Sequence, residues 1–68
     1  MTSYALAVDV GGTFTDAVLI SSAGGCWTDK ALTTHEDIMG GFFTAADLVL
    51  KQADIPFSRL DDVITHAT

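Results

Sequence analysis

The sequence predicts an α/β fold with the element order β-β-β-α-β, and three observations carry that expectation. Apolar residues recur with period two through three stretches before Thr33. The period then changes to helical steps as far as Ala53. After Pro56 the β-branched run Val63-Ile64-Thr65 returns to strand composition.

Taken in order, the first strand runs from Tyr4 to Val10. Tyr4, Leu6, Val8 and Val10 share one face, and Ala5, Ala7 and Asp9 share the other. Both faces are mostly apolar, so this strand is expected to be covered on both sides. Gly11-Gly12 interrupts it, and Thr15 to Ile20 resumes strand composition up to the turn cluster Ser21-Ser22-Ala23-Gly24-Gly25. Cys26 to Thr33 alternates again, with Trp27, Asp29 and Ala31 opposed to Thr28, Lys30 and Leu32. Connections this short join neighbouring antiparallel strands, so a meander is expected.

At Thr33-x-x-Glu36 the spacing is that of a capping box, and Glu36 and Asp37 bring negative charge to a helix N-terminus. Ile38, Phe42, Ala45 and Val49 follow helical steps, as do Met39, Phe43, Ala46 and Leu50. Gly40-Gly41 costs the helix about 1 kcal/mol per glycine relative to alanine. The same pair permits close packing of the helix on a sheet. Lys51 suits the C-terminal turn, and Pro56 stops the helix from continuing. There is no repeat and no low-complexity tract.

Composition excludes several partners. Among 68 residues, Lys plus Arg number 3 and Asp plus Glu 9, a formal charge of 3 − 9 = −6. Lys30, Lys51 and Arg59 are scattered singly, so the clustered cations that nucleic acid or an acidic membrane surface requires are missing. A small anion held by backbone amides stays compatible with this charge. A chain of this length buries only about 60% of its unfolded surface. Cys26 has no partner for a disulfide, and no His/Cys cluster has zinc spacing. Yet the chain is 49% hydrophobic, with a mean hydropathy of +0.38. So much apolar surface without staples implies part of a larger protein. The first 29 residues hold no Lys or Arg, so a secretory n-region is missing. No apolar run approaches the ~18 residues of a membrane helix. A single cysteine fits a reducing compartment, and the cytoplasm is the expected location.

Chemistry concentrates in Asp9-Val10-Gly11-Gly12-Thr13-Phe14-Thr15-Asp16. Consecutive glycines at a strand end permit positive φ and carry no Cβ to block a ligand. The amides of Gly11, Gly12 and Thr13 can then share one concavity suited to phosphate oxygens, with hydroxyls from Thr13 and Thr15. Asp9 is an acid on a small apolar face, where burial as a bare charge is costly unless a metal ion or catalytic water accompanies it. The plainer reading is a Gly-Gly hairpin turn with an ordinary strand threonine and a solvated aspartate. Neither Gly-x-x-x-x-Gly-Lys nor Gly-x-Gly-x-x-Gly before a helix is present.

Val8 through Asp16 resembles the first phosphate motif of the actin-like ATPase superfamily, which includes sugar kinases. Its Thr13-Phe14-Thr15-Asp16 ending is similar to the hydantoinase/oxoprolinase family, to which ketone carboxylases are related. Val63-Ile64-Thr65-His66-Ala67-Thr68 resembles that family's His-Gly-Thr-Thr motif, with Ala67 in place of glycine and the second threonine beyond the last residue. The resemblance implies a partial actin-like ATPase (ribonuclease H-like) domain, truncated after the fourth strand, with residues 1–68 its incomplete N-terminal part. It implies ATP and Mg²⁺ as cofactors. Asp9 would act catalytically by holding Mg²⁺ or its water; Gly11, Gly12 and Thr13 would contact phosphate, with Thr15 as a second hydroxyl contact. Asp16 would orient the loop, and His66 and Thr68 would line the reaction cleft. The parent would phosphorylate an amide or enol oxygen, then hydrolyse a hydantoin or 5-oxoproline or carboxylate a ketone such as acetone or acetophenone. Its partners would be the remainder of its own polypeptide, a second enzyme subunit and a small-molecule substrate.

Two other functions fit the same residues: a nucleotide-regulated assembly protein of the actin type, and a small interaction module whose Gly-Gly hairpin is occluded by its own side chains. Elsewhere the residues read as structure. Cys26 is expected to be a packing residue, and Trp27, Phe42 and Phe43 core or domain-interface aromatics. His35 reads as a surface residue at the helix start and Asp61-Asp62 as a solvated turn. Half a nucleotide site lacks an adenine pocket and a closing domain. Titration calorimetry of the 68-residue chain alone is therefore expected to give an ATP·Mg²⁺ dissociation constant well above micromolar; tight, Mg²⁺-dependent binding would refute this.

Overall fold

The computed structural model describes residues 1–34 and 36–67, so the expectations for His35 and Thr68 lie outside the described residues. The chain forms β1 (Tyr4–Val10), β2 (Phe14–Ser21), β3 (Cys26–Leu32), α1 (Ile38–Ala53), a short 3₁₀ turn (Phe57–Arg59) and β4 (Asp62–Ala67). The strand order is β3-β2-β1-β4. β1, β2 and β3 make the antiparallel meander, and β4 returns parallel to β1. A parallel return needs a long crossover, which α1 supplies.

Period two sorts the sheet into two different faces. Leu6, Val8 and Val10 of β1 and Thr15, Ala17 and Leu19 of β2 are buried against Phe42, Ala45, Ala46, Val49 and Leu50 of α1. Trp27 and Ala31 of β3 complete this layer from its edge. On the opposite face Ala7, Asp9, Asp16 and Ile20 are exposed, and the whole of β4 is exposed. Cover on both faces of β1 is therefore not observed: one helix covers one face. Cys26 stands on that open side and is exposed, so it is not a packing residue. Phe43 is also exposed, meeting buried Phe42 edge-on at 5.3 Å between ring centroids.

The helix starts later than the capping-box spacing predicts. Asp37 is the N-cap, its Oδ1 accepting the Gly40 N–H at 2.9 Å. Thr33 cannot serve, because its own groups are committed to the sheet. Its N–H donates to the Thr13 carbonyl at 2.8 Å, and its hydroxyl lies 2.8 Å from that of Thr15. Close approach there depends on Gly41, where a Cβ would stand 3.3 Å from the Leu32 carbonyl oxygen. At the other end Asp54 adopts the left-handed conformation, φ 58° and ψ 46°. Its N–H reaches the Lys51 carbonyl and the Ile55 N–H reaches that of Leu50, a Schellman ending with Pro56 next. Asp61 does more than solvate a turn. Its carboxylate accepts the Tyr4 N–H at 2.8 Å and its N–H donates to the Tyr4 carbonyl at 2.9 Å, aligning the start of β4.

The cap assignment separates two neighbouring acids. Asp37→Ala is expected to lower unfolding free energy by about 1 kcal/mol, whereas Glu36→Ala should stay within about 0.5 kcal/mol of the parent. Urea denaturation of both variants checks this; equal losses would return the cap to the Thr33–Glu36 pair.

Candidate functional site

Three features converge at one end of the sheet: the Gly11–Thr13 connection, the C-terminal ends of parallel β1 and β4, and the segment leading from β3 into α1. The crevice outside the carboxyl ends of parallel strands is where open α/β sheets bind ligands.

The connection is tight but open. Gly11 donates its N–H to the Phe14 carbonyl at 3.0 Å. Among the described residues, the amides of Gly12 and Thr13 have no hydrogen-bond partner. Both residues are exposed. Neither Gly11 nor Gly12 has positive φ, so conformational freedom is not what these glycines supply. At Gly11 a Cβ would stand 3.0 Å from the Phe14 carbonyl oxygen, while at Gly12 it would meet nothing within 4 Å. Gly11 permits the hairpin to close; Gly12 keeps its outer side clear. The amide of Gly11 is thus spent inside the hairpin, and those of Gly12 and Thr13 stay unpartnered among the described residues. The loop is not occluded by its own side chains, as the plain interaction module would require.

Thr15 corrects a sequence expectation. It is 0% exposed and lies on the helix side, its hydroxyl against that of Thr33. The reason is period two: Thr15 is in step with Ala17 and Leu19, both buried, and out of step with Asp16. A hydroxyl on the helix side does not face the carboxylates of the open side.

Those carboxylates form a row. Asp9 is directly opposite Asp16 in the β1–β2 register and beside His66 in the β1–β4 register, and Asp16 faces Lys30 on β3. His66 Nδ1 lies 3.2 Å from Asp9 Oδ1, joining residues 57 apart in sequence. The Lys30 ammonium rests over the Phe14 ring, 5.0 Å from its centroid. The Asp9 side chain is 59% exposed, so burial cost does not single it out. What does is the second carboxylate opposite it, because like charges directly across a strand pair are destabilising. No group of three or more metal-ligating side chains exists among the described residues. Mg²⁺ commonly takes one or two carboxylates and completes its shell with water and substrate phosphates. An exposed carboxylate pair at the same end of the sheet as two free amides fits that donor set and not an all-protein cage.

Sequence reasoning found Asp9, Gly12, Thr13 and His66, which the fold brings to one end of the sheet. It read Thr33 as a helix cap and missed its link to the loop, whose one sequence signal is that Thr33 directly follows β3, opposite the residue that precedes β2.

The strand order and the single crossover helix define an α/β domain that fits part of an actin-like, ribonuclease H-like fold. The family model for the hydantoinase/oxoprolinase N-terminal region matches residues 5–68, and the chain belongs to that family. No curated protein matches it.

Opposed carboxylates make a measurable signature. Asp9→Asn is expected to raise unfolding free energy by a few tenths of a kcal/mol at low ionic strength. The gain should vanish near 1 M salt, where the screening length is about 3 Å. Thermal melts across a salt series test it; a loss of stability at low salt would show that Asp9 is attractive, not repulsive, in its row.

Proposed function

We propose that this chain supplies the phosphate-binding loop of an ATP-dependent enzyme that phosphorylates an amide or enol oxygen of its substrate. The observation that carries the reading is the pair of exposed, unpartnered amides at Gly12 and Thr13, at the same end of the sheet as the Asp9–Asp16 carboxylates. An anion bound there relies on backbone N–H groups and on a cation brought with it, since the loop itself contains no Lys or Arg.

In this reading the amides of Gly12 and Thr13 and the Thr13 hydroxyl donate to phosphate oxygens. Asp9 holds Mg²⁺ or its water, and the hydrogen bond from His66 fixes the orientation of one Asp9 oxygen. Asp16 adds negative charge on the same side, strengthening the site's preference for a cation. Mg²⁺ would supply charge neutralisation at the transferring phosphoryl group, where catalysis is largely positioning and electrostatic stabilisation. Phosphorylation turns an unreactive amide oxygen into a leaving group once water adds to the amide carbon. On an enol it holds the nucleophilic C=C form, whose C–O bond is kept when the phosphoryl group is later released. Hydrolysis of a cyclic amide of the hydantoin or 5-oxoproline kind is the outcome that the family's description favours; carboxylation of a ketone uses the same activation. The remaining polypeptide and a second subunit would supply the adenine pocket, the substrate residues and the cover for the open sheet face. A reducing, cytoplasmic setting agrees with the exposed, unpaired Cys26. Among the described residues, no helix is long and apolar enough to cross a membrane.

Two substitutions separate chemistry from folding. Asp9→Asn in the complete enzyme is expected to cut phosphoryl transfer by about 10²–10³-fold. Gly12→Ala places its methyl in open space and should melt like the parent, yet crowd the phosphate and weaken ATP binding. Steady-state ATP turnover and thermal melts of both variants decide the matter. Wild-type turnover in Asp9→Asn would remove the cation role and leave the loop an ordinary hairpin.

A further inference from the structure

We propose that Thr33, with Thr15 as its buried partner, is the positioning residue of the Gly12-Thr13 anion cradle. This deepens the phosphate-loop reading and rests on it for the ligand. Thr33 grips the loop's descending arm at two points. Its N–H donates to the Thr13 carbonyl at 2.8 Å, and its hydroxyl sits 2.8 Å from the hydroxyl of Thr15.

Each bond fixes a particular peptide plane. Because a peptide unit is planar, holding the Thr13 carbonyl sets the Thr13–Phe14 peptide. The Gly11 N–H, held by the Phe14 carbonyl, sets the peptides on either side of the turn's base. Between these anchors lie the Gly11–Gly12 and Gly12–Thr13 peptides, whose N–H groups are the free ones. Their direction is therefore set by the two bonds that flank them.

The hydroxyl pair determines where the Thr33 backbone stands. Thr15 is wholly buried, so its hydroxyl needs a partner inside the protein, and Thr33 provides it. Gly41 of α1 closes over the pair, where a Cβ would lie 3.4 Å from Thr15 Oγ1 and 3.7 Å from Thr33 Cα. The first turn of the helix thus clamps the pair against the sheet, so the anion cradle outside and the helix packing inside share one strut. The two threonines read from sequence as a phosphate contact and a helix cap serve instead as the two halves of this strut.

The test compares Thr33→Val, Thr33→Ser and the double variant Thr15→Val/Thr33→Val in the complete enzyme. The double variant removes both hydroxyls and leaves no buried group unpaired, so it separates positioning from stability. Hydrogen–deuterium exchange at the Gly11 and residue-33 amides, whose bonds to the Phe14 and Thr13 carbonyls hold the loop, reads loop order without nucleotide. Thr33→Val and the double variant should exchange faster there than the parent, and Thr33→Ser should restore protection. Calorimetry with ATP·Mg²⁺ should show binding about tenfold weaker in the valine variants, equivalent to one hydrogen bond's net contribution. Adenosine, which has no phosphate, should bind all variants alike. Unchanged exchange in the double variant overturns the proposal whether or not nucleotide binds. Absence of ATP binding by the parent overturns the phosphate reading alone, and exchange then decides the role of Thr33 by itself.

Discussion

The antiparallel register between β1 and β2 is the constraint on which everything else in this molecule depends. It places Val10 opposite Thr15 and Asp9 opposite Asp16, so one pair turns toward the helix and the next turns away. A one-residue slip of β1 would carry Asp9 into the layer occupied by Phe42 and Val49 and move Leu6 and Val8 into water, and the same slip of β2 would bury Asp16 and expose Leu19. The hydrophobic residues of β1 and β2 therefore select the register that presents the carboxylates. The closeness of the chain at Gly11, where a Cβ would press on the Phe14 carbonyl, then keeps the connection short enough to hold it.

Element types were legible in the sequence because period and turn chemistry agreed at each level. Alternation marked β1 to β3, helical steps marked α1, and Pro56 separated α1 from β4. The helix cap was not legible, since Thr33 meets the local rule for capping but its amide and hydroxyl are taken by residues far away in sequence. Thr15 failed for a related reason. A motif suggested a role on the ligand side, and the alternation within its own strand, with Ala17 and Leu19 inward, outweighed it. The carboxylates of Asp9 and Asp16 were visible as residues, but alternation fixes their side of the sheet and not the exact residue opposite each, and the approach of His66 depends on pairing between strands far apart in sequence.

The chain's surplus of apolar residues has a definite location. Ile20, Leu32 and Ile64 are exposed on the side away from α1, and Val63 on β4 lies past the part of the sheet that the helix covers. A single helix spans β3, β2 and β1, leaving the parallel edge bare. This divides the protein into a closed half, where a small core holds the hairpin, and an open half, where strand edges and faces remain. The candidate site lies on the boundary, with its amides rooted in the closed half and its carboxylates in the open one.

The pairing of Asp9 with His66 also has a consequence for the order in which the molecule assembles. The meander can form from neighbouring segments as soon as its turns close, and those contacts are local. β4 must wait, because its partner lies 57 residues back at the Asp9–His66 position and the parallel register closes only after α1 is laid down. Contacts of that separation carry the largest loop-closure entropy and form late. A nascent chain emerging in sequence would thus possess its loop amides long before the imidazole that orients Asp9. Completion of the carboxylate row is a step in folding topology, and a strand that fails to dock would leave a hairpin that looks finished but has an unanchored acid.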